Sequence, residues 1–325
     1  MFSLRFVDEL AVDHGTRRWI EDFLFDLGVQ IQHLADAPRQ RFELQADGRF
    51  VPGRPGWDGF HEHLLLVAEH TWGVSMAAPT WHDEQHWDNA AFARIHPQSR
   101  AVALYENTVI VPTLDAKLIA LDAKTGKQVW ETTTADYKDG YYLNSPPLVA
   151  KGLLIMGPAG PGEMGIRGWA AAFDAKTGKE VWRRYTVPEP GQPGSDTWEG
   201  DSWQRGGGSI WLPPTYDAES DTVFFATGNP SPFIDAVRKG DNLYTNSVLA
   251  VDRATGKVKW YYQYVPADAW DFDTMNEHTV LTLKRDGKDI PAIVSFQKPG
   301  FVTALDRRDG KLLYAKKFTK SVDWA

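Results

Sequence analysis

The 325-residue sequence predicts a mainly β chain, a propeller or solenoid array of repeated hairpins, behind an N-terminal segment of α-helical and irregular character. Three observations carry this reading. One twelve-residue pattern recurs four times in the second part of the chain. The composition holds 14 Trp, 28 Gly and 20 Pro, and aromatics among so many turn formers suit short strands joined by tight turns. The chain also changes character near residue 97: eight of its nine histidines precede that point, only His278 follows it, and the first lysine is Lys117. Two parts are therefore expected, residues 1–97 of unknown fold, foreign or fused, and residues 98–325 carrying the repeats.

The first part opens with a helical pattern. Trp19, Ile20, Phe23, Leu24 and Leu27 recur at three- and four-residue steps, and Gly28 is a plausible stop. A Pro/Gly stretch follows, Val51-Pro-Gly-Arg-Pro-Gly-Trp57, and then an apolar run at Leu64-Leu-Leu-Val-Ala68. His61 and His63 on a strand, or His82 and His86 one helical turn apart, have spacings that could bind zinc; polar surface histidines are the plainer reading.

The repeats are Ile119-Ala-Leu-Asp-Ala-Lys-Thr-Gly-Lys-Gln-Val-Trp130, Ala171-Ala-Phe-Asp-Ala-Lys-Thr-Gly-Lys-Glu-Val-Trp182, Leu249-Ala-Val-Asp-Arg-Ala-Thr-Gly-Lys-Val-Lys-Trp260 and Thr303-Ala-Leu-Asp-Arg-Arg-Asp-Gly-Lys-Leu-Leu-Tyr314. Their aspartates, Asp122, Asp174, Asp252 and Asp306, lie 52, 78 and 54 residues apart, a period that reads as a propeller or solenoid with one long insertion. The apolar triplet before each Asp predicts a strand. Asp and Thr cap a tight turn through side-chain to backbone hydrogen bonds. The Gly supplies a positive φ, a second strand follows, and the terminal aromatic packs one unit on the next. The alternative is a set of unrelated hairpins.

Composition narrows the function classes. A net charge of −8 argues against a nucleic-acid partner, which needs clustered Lys and Arg. No apolar run approaches the length of a membrane-spanning helix. Residues 1–10 carry acids where a signal peptide has its apolar stretch. Zero cysteines exclude disulfides, thiolate metal sites and cysteine catalysis.

Glu163, Asn229, Asp271 and Asp273 are oxygen donors in loops crowded with Gly, Pro and Trp, the chemistry a hard cation takes. Asp271-Phe-Asp273, if extended, would put both carboxylates on one face. The alternative is that these residues cap turns and support their own loops.

The repeat Ala-x-Asp-x-x-Thr-Gly-Lys-x-x-Trp resembles the tryptophan-docking motif of the PQQ-dependent alcohol dehydrogenases, the quinoproteins. The stretches between the repeats resemble that family in order: Gly160-Pro-Gly-Glu-Met-Gly-Ile-Arg-Gly168, Gly206-Gly-Gly-Ser-Ile-Trp211, Ala226-Thr-Gly-Asn-Pro-Ser-Pro232, Gly240-Asp-Asn-Leu-Tyr244 and Asp268-Ala-Trp-Asp-Phe-Asp273. The resemblance covers residues 98–325. It implies about four blades of an eight-bladed β-propeller of four-stranded sheets, with pyrroloquinoline quinone (PQQ) on the axis and Ca2+ or a lanthanide ion beside it. The implied activity is oxidation of a primary alcohol to an aldehyde in the periplasm, with a cytochrome c or membrane quinone as electron acceptor.

Residue by residue, the resemblance implies that Asp271 is the general base that takes the hydroxyl proton as hydride leaves carbon. The metal, held by Glu163, Asn229 and Asp271, is then the Lewis acid at the quinone carbonyl. Lys298, in Phe296-Gln-Lys-Pro-Gly300, matches the cation beside the quinone oxygens and stabilises charge on the reduced cofactor. Trp211 matches the ring on which the quinone stacks, Ser209 a cofactor-contacting hydroxyl, Gly162 a position in the cofactor loop, and Arg100 a partner of a cofactor carboxylate. Gly206, Gly207 and Gly208 let the backbone come close. Asp273 adds a carboxylate that resembles the lanthanide-dependent subgroup, since a trivalent ion is better matched by three carboxylates than by two. The plainer alternatives are a surface lysine at 298, a buried structural tryptophan at 211, and an Asp273 that bonds its own loop.

Departures accompany the match. Many relatives carry adjacent cysteines where this sequence has Arg94-Ile95, and Asn144 stands where the family has a threonine near the cofactor. Four repeats against eight blades read as a truncated or fused fragment with an open axis and an exposed end blade, its activity alone left open. Two further readings belong to other classes. One is a non-catalytic propeller scaffold, which would lack the Glu163, Asn229 and Asp271 constellation. The other draws on Glu69-His-Thr-Trp-Gly73 and His82-Asp-Glu-Gln-His86, which resemble part of a bacterial glycoside-hydrolase-like family; no residues are carried over from it.

Overall fold

The computed structural model describes residues 101–160, 165–285 and 287–322. The N-terminal helix pattern and histidine pairs, together with Arg100, Gly162 and Glu163, lie outside the described residues.

Sixteen strands form four antiparallel four-stranded sheets, each in simple sequence order. Blade I holds β1 (Ala103–Tyr105), β2 (Thr108–Pro112), β3 (Lys117–Asp122) and β4 (Gln128–Thr133). Blade II holds β5 (Leu148–Ala150), β6 (Leu153–Met156), β7 (Trp169–Asp174) and β8 (Glu180–Tyr185). Blade III holds β9 (Thr215–Asp217), β10 (Thr222–Ala226), β11 (Ser247–Asp252) and β12 (Val258–Gln263). Blade IV holds β13 (Thr279–Arg285), β14 (Lys288–Gln297), β15 (Phe301–Asp306) and β16 (Leu312–Lys317). The architecture is a succession of propeller blades, as the repeat predicts, and among the described residues the helices are short 3-10 turns.

Each repeat spans the third strand, a turn and the fourth strand, and each works by the same local physics. Asp122 Oδ1 accepts from the backbone N of Lys124 and Thr125, at 3.0 and 2.8 Å, and from Thr125 Oγ1 at 2.8 Å. Asp174 repeats this with Lys176 and Thr177, and Asp252 with Thr255. In blade IV Asp309 replaces the Thr, and Asp306 is bonded by the backbone N of Arg308 and by its guanidinium. A β-bulge follows the alanine at the same place in every copy, after Ala120, Ala172, Ala250 and Ala304. That alanine pairs directly with Trp130, Trp182, Trp260 or Tyr314, so a small side chain opposes each large ring.

The docking partner of each tryptophan is the repeat glycine of the next blade. A Cβ on Gly178 would lie 2.5 Å from Trp130 Cε3, one on Gly256 2.6 Å from Trp182 Cε3, and one on Gly310 2.5 Å from Trp260 Cε3. These glycines also turn the hairpin at φ 70°, 70° and 74°, so two independent demands select the same residue. At two of the three junctions the indole N–H also reaches across: Trp182 Nε1 donates to Arg253 O at 2.9 Å and Trp260 Nε1 to Arg307 O at 3.1 Å. Apolar side chains of varied size fill the space between sheets, with Ile155, Ala172, Val223, Phe225, Leu249 and Val251 in the cluster joining blades II and III.

His278 is buried between blades III and IV, with its Nε2 2.8 Å from the Tyr264 hydroxyl. Burial holds its imidazole down at about 4, against an ordinary 6.5. A group with a depressed folded pKa contributes stability that is present above its unfolded value and lost as pH falls through the folded one. Acidification from about pH 6.5 to 4 should therefore destabilise the protein by on the order of 3 kcal/mol through this residue alone. Thermal melting of His278→Gln across this range should show that portion of the acid slope removed; an unchanged slope would show that His278 does not cause it.

Candidate functional site

Strand order places the candidate residues at one end of the sheets. In an A-B-C-D meander, the B–C turns and the connections from D to the next blade emerge together, opposite the A–B and C–D hairpins. Ser209 and Trp211 lie between β8 and β9, Asn229 between β10 and β11, Asp271 and Asp273 between β12 and β13, and Lys298 between β14 and β15. The Asp–Gly docking hairpins all lie at the other end.

The triple glycine forms a strip woven between two neighbouring loops. Gly207 N donates to Ile166 O and Gly168 N to Gly207 O, both at 2.8 Å, while Gly208 N donates to Asn229 O at 2.9 Å and Ser231 N to Gly206 O at 3.0 Å. A Cβ at Gly207 would meet Asn229 O at 2.4 Å. The close backbone approach expected of these glycines is thus made to adjacent protein loops, and it fixes where Asn229 sits. Beyond the strip, Trp211 packs on the cluster of Leu114, Tyr142 and Ala159. The Cα of Gly228 faces Ser209 Oγ and Trp211 Nε1: an added Cβ would lie 3.0 and 3.6 Å from them. Ser209, Trp211 and Asn229 therefore converge.

Asn229 links this group to the carboxylates. Its Nδ2 donates to Asp271 Oδ1 at 2.5 Å, and its Oδ1 accepts from the backbone N of Asp273 at 2.7 Å. Lys298 Nζ donates to the Asp271 carbonyl and stands 3.5 Å from Asp271 Oδ2 and 3.7 Å from Asp273 Oδ2. The Asp271-Phe-Asp273 loop is not extended, which corrects the sequence expectation. Asp271 and Asp273 adopt φ of 61° and 42°, in the left-handed region, and this turn brings both carboxylates to one ammonium.

The site is electrostatically tense. Burial pushes the Asp273 carboxyl up to about 6, and the charge of Asp271 adds to the rise, while Lys298 opposes it. A single lysine thus serves two adjacent carboxylates, a donor set that favours a further cation. Among the described residues no group of three His, Asp or Glu side chains is poised around one point, and Glu163 is outside them. Two polar atoms in the connection from β4 to β5, at the same end of the sheets, have no hydrogen-bond partner although buried: Asn144 Oδ1 and Ser145 Oγ. Buried polar groups are ordinarily paired, so these two suit a ligand with polar edges.

The structure also brings in residues that the sequence reading passed over. Asp268 is fully buried. Its Oδ1 accepts from Trp270 N at 2.8 Å, and its Oδ2 from Phe272 N at 2.9 Å and Asn246 Nδ2 at 2.6 Å. Arg238, also fully buried, bonds the carbonyls of Pro232, Phe233 and Asp268 and the Asn242 side chain, tying the loop after Asn229 to the loop before Asp271. An Asp preceding backbone N–H groups two and four residues on is a turn signal that Asp268-Ala-Trp-Asp-Phe contains.

Residues 68–317 match the PQQ glucose/ethanol/alcohol dehydrogenase β-propeller domain family. The quinohemoprotein alcohol dehydrogenase ADH IIB of Pseudomonas putida is 44% identical over 241 residues, covering 70% of this chain and 35% of that protein. A lanthanide-dependent methanol dehydrogenase of Methylorubrum extorquens is 38% identical over 245 residues, covering 70% of this chain and 41% of its own length. A solved europium-containing methanol dehydrogenase superposes with a TM-score of 0.65 at 36% identity, over 68% of this chain and 42% of that one. The chain thus spans well under half the length of these relatives. With four four-stranded blades, joined at their three junctions by docked tryptophans, and a family match over most of its residues, the chain belongs to the PQQ-dependent alcohol dehydrogenase family.

Proposed function

We propose that this chain carries the alcohol-oxidising site of a quinoprotein, converting a primary alcohol to an aldehyde. The observation that supports it best is the convergence of Asn229, Asp271, Asp273 and Lys298 beside Ser209 and Trp211. When bound, PQQ supplies the two-electron acceptor and a Ca2+ or lanthanide ion beside it the Lewis acid. Asp271 receives the hydroxyl proton of the alcohol; its carboxylate is half exposed, open to a substrate, and held by Asn229 and Lys298. Lys298 places positive charge where negative charge develops. Trp211 offers a flat face to the quinone, Ser209, Asn144 and Ser145 offer polar contacts, and Arg100 and Gly162 complete that set. Glu163, Asn229, Asp271 and Asp273 are the proposed metal ligands. A cytochrome c or membrane quinone is the proposed electron acceptor and the periplasm the proposed compartment. Among the described residues no helix is long and apolar enough to cross a membrane.

Reconstitution tests this reading. The protein incubated with PQQ and metal should show alcohol-dependent dye reduction that needs both components; activity without PQQ would refute it. Trp211→Ala should weaken PQQ binding by about tenfold, through loss of stacking worth on the order of 1–3 kcal/mol. Tryptophan quenching on PQQ titration reads this directly, and an unchanged affinity would mean that another ring carries the quinone.

The metal is proposed to be a lanthanide. Asp273 is crowded by the charge of Asp271, and a trivalent ion relieves two adjacent carboxylates better than a divalent one. The similarity to a lanthanide-dependent methanol dehydrogenase supports the choice. Activity with lanthanum should exceed that with calcium, and Asp273→Ala should reverse or erase the preference. Full activity with calcium, unaltered by Asp273→Ala, would exclude the assignment.

A further inference from the structure

We propose that Asp268 is the positioning residue of the site: buried at the root of the 268–273 loop, it holds the turn that aims Asp271 and Asp273 at Asn229 and Lys298. The inference rests on the functional reading above, because it assigns the loop's purpose. The geometry that carries it is the loop itself. Asp271 and Asp273 occupy left-handed backbone, which non-glycine residues adopt at a cost and keep only when the surroundings hold them there. The holding contacts converge on one carboxylate. Asp268 takes the N–H of Trp270 on one oxygen and that of Phe272 on the other, so the residues flanking Asp271 on both sides are fixed.

The carboxylate is anchored in turn. Asn246 Nδ2 donates to it at 2.6 Å, while Asn246 Oδ1 accepts from Thr274 N at 3.2 Å, just beyond Asp273. Asn246 thereby closes the loop from the far side. The Asp268 carbonyl accepts from Arg238, whose other bonds run to Pro232 and Phe233, a few residues past Asn229. Both halves of the constellation thus hang on one buried network, and Asp268 is where they meet. The hydrogen bonds of Asp268 end on the backbone of Trp270 and Phe272 and on Asn246 and Arg238, not on the side chains of Asp271, Asp273 or Lys298, so its role is placement.

Only a carboxylate satisfies the arrangement. Asp268 accepts three hydrogen bonds and donates none, so an amide would turn an NH2 toward at least one of the three donors. In Asp268→Asn, amide hydrogen exchange over residues 269–274 should accelerate at least tenfold. Terbium affinity of the 325-residue chain, followed by tryptophan-sensitised emission, should weaken at least tenfold. PQQ affinity measured without metal should stay within twofold. Asn246→Ala, which removes one of the three donors and leaves both backbone caps, should give an intermediate loss and serves if Asp268→Asn folds poorly. Asp221→Asn is the control for general loosening. Asp221 bonds Arg253, Tyr216 and Lys151 at the opposite end of the sheets, so this change should lower the melting temperature without altering terbium affinity. Wild-type protein that fails to bind terbium would overturn the cation reading and this inference with it. Wild type that binds, with Asp268→Asn binding as tightly and exchanging as slowly, would overturn the inference alone.

Discussion

Asp271→Asn should reduce the rate of alcohol oxidation by about 10²–10⁴-fold in protein loaded with PQQ and metal, the range spanned by loss of a positioned general base. The change is nearly isosteric and the amide oxygen can still accept from Asn229, at the cost of the longer contact to Lys298, so the melting temperature should alter little. What disappears is the group that can accept a proton. PQQ affinity should be close to wild type, because the quinone's proposed contacts lie on Trp211, Ser209 and the loop holding Asn144 and Ser145. A comparable loss of quinone binding would mean that Asp271 serves the cofactor more than the substrate. Retention of more than a tenth of the activity would mean that another base operates.

Trp182→Ala should destabilise the protein by about 3–5 kcal/mol, the usual cost of removing a buried large aromatic side chain. Trp182 is 9% exposed, its ring covers the face of Gly256, and its N–H bonds Arg253 across the blade II–III junction. Deleting it opens a void between two sheets and strands the Arg253 carbonyl. Tyr314 occupies the same position in the repeat but is 39% exposed, on the outer strand of blade IV. Tyr314→Ala should therefore cost about 1 kcal/mol or less. Denaturant melts of the two variants compare a docked position with an undocked one inside the same repeat. Equal losses would show that the ring stabilises its own hairpin and not the junction.

The fold was legible because the same local solution is written four times. Asp122, Thr125, Gly126 and Trp130 sit within nine residues of one another, where propensity and turn chemistry act directly. The repeat told that the aromatic docks on a neighbouring blade. It did not tell that the dock is the next repeat's glycine, because Trp182 and Gly256 are 74 residues apart. The candidate site was legible as residue types, and six of those residues converge: Ser209, Trp211, Asn229, Asp271, Asp273 and Lys298. Their arrangement was less so. Asp271 and Asp273 face one lysine through a left-handed turn, not an extended strand, and the cause is Asp268, whose partners Asn246 and Arg238 lie 22 and 30 residues upstream. Polar residues that bond across such separations leave no periodic trace. His278 was visible as the single histidine of its half of the chain, yet only burial between two sheets makes it a neutral core residue.

Anomalous diffraction from crystals of the protein grown with PQQ and lanthanum would locate both groups. One strong lanthanum peak is expected within coordination distance of Asn229, Asp271 and Asp273, with the quinone plane stacked on Trp211 and Lys298 reaching its oxygens. A lanthanum peak elsewhere, or a quinone bound away from Trp211 with Asp271 and Asp273 unligated, would contradict the proposed site.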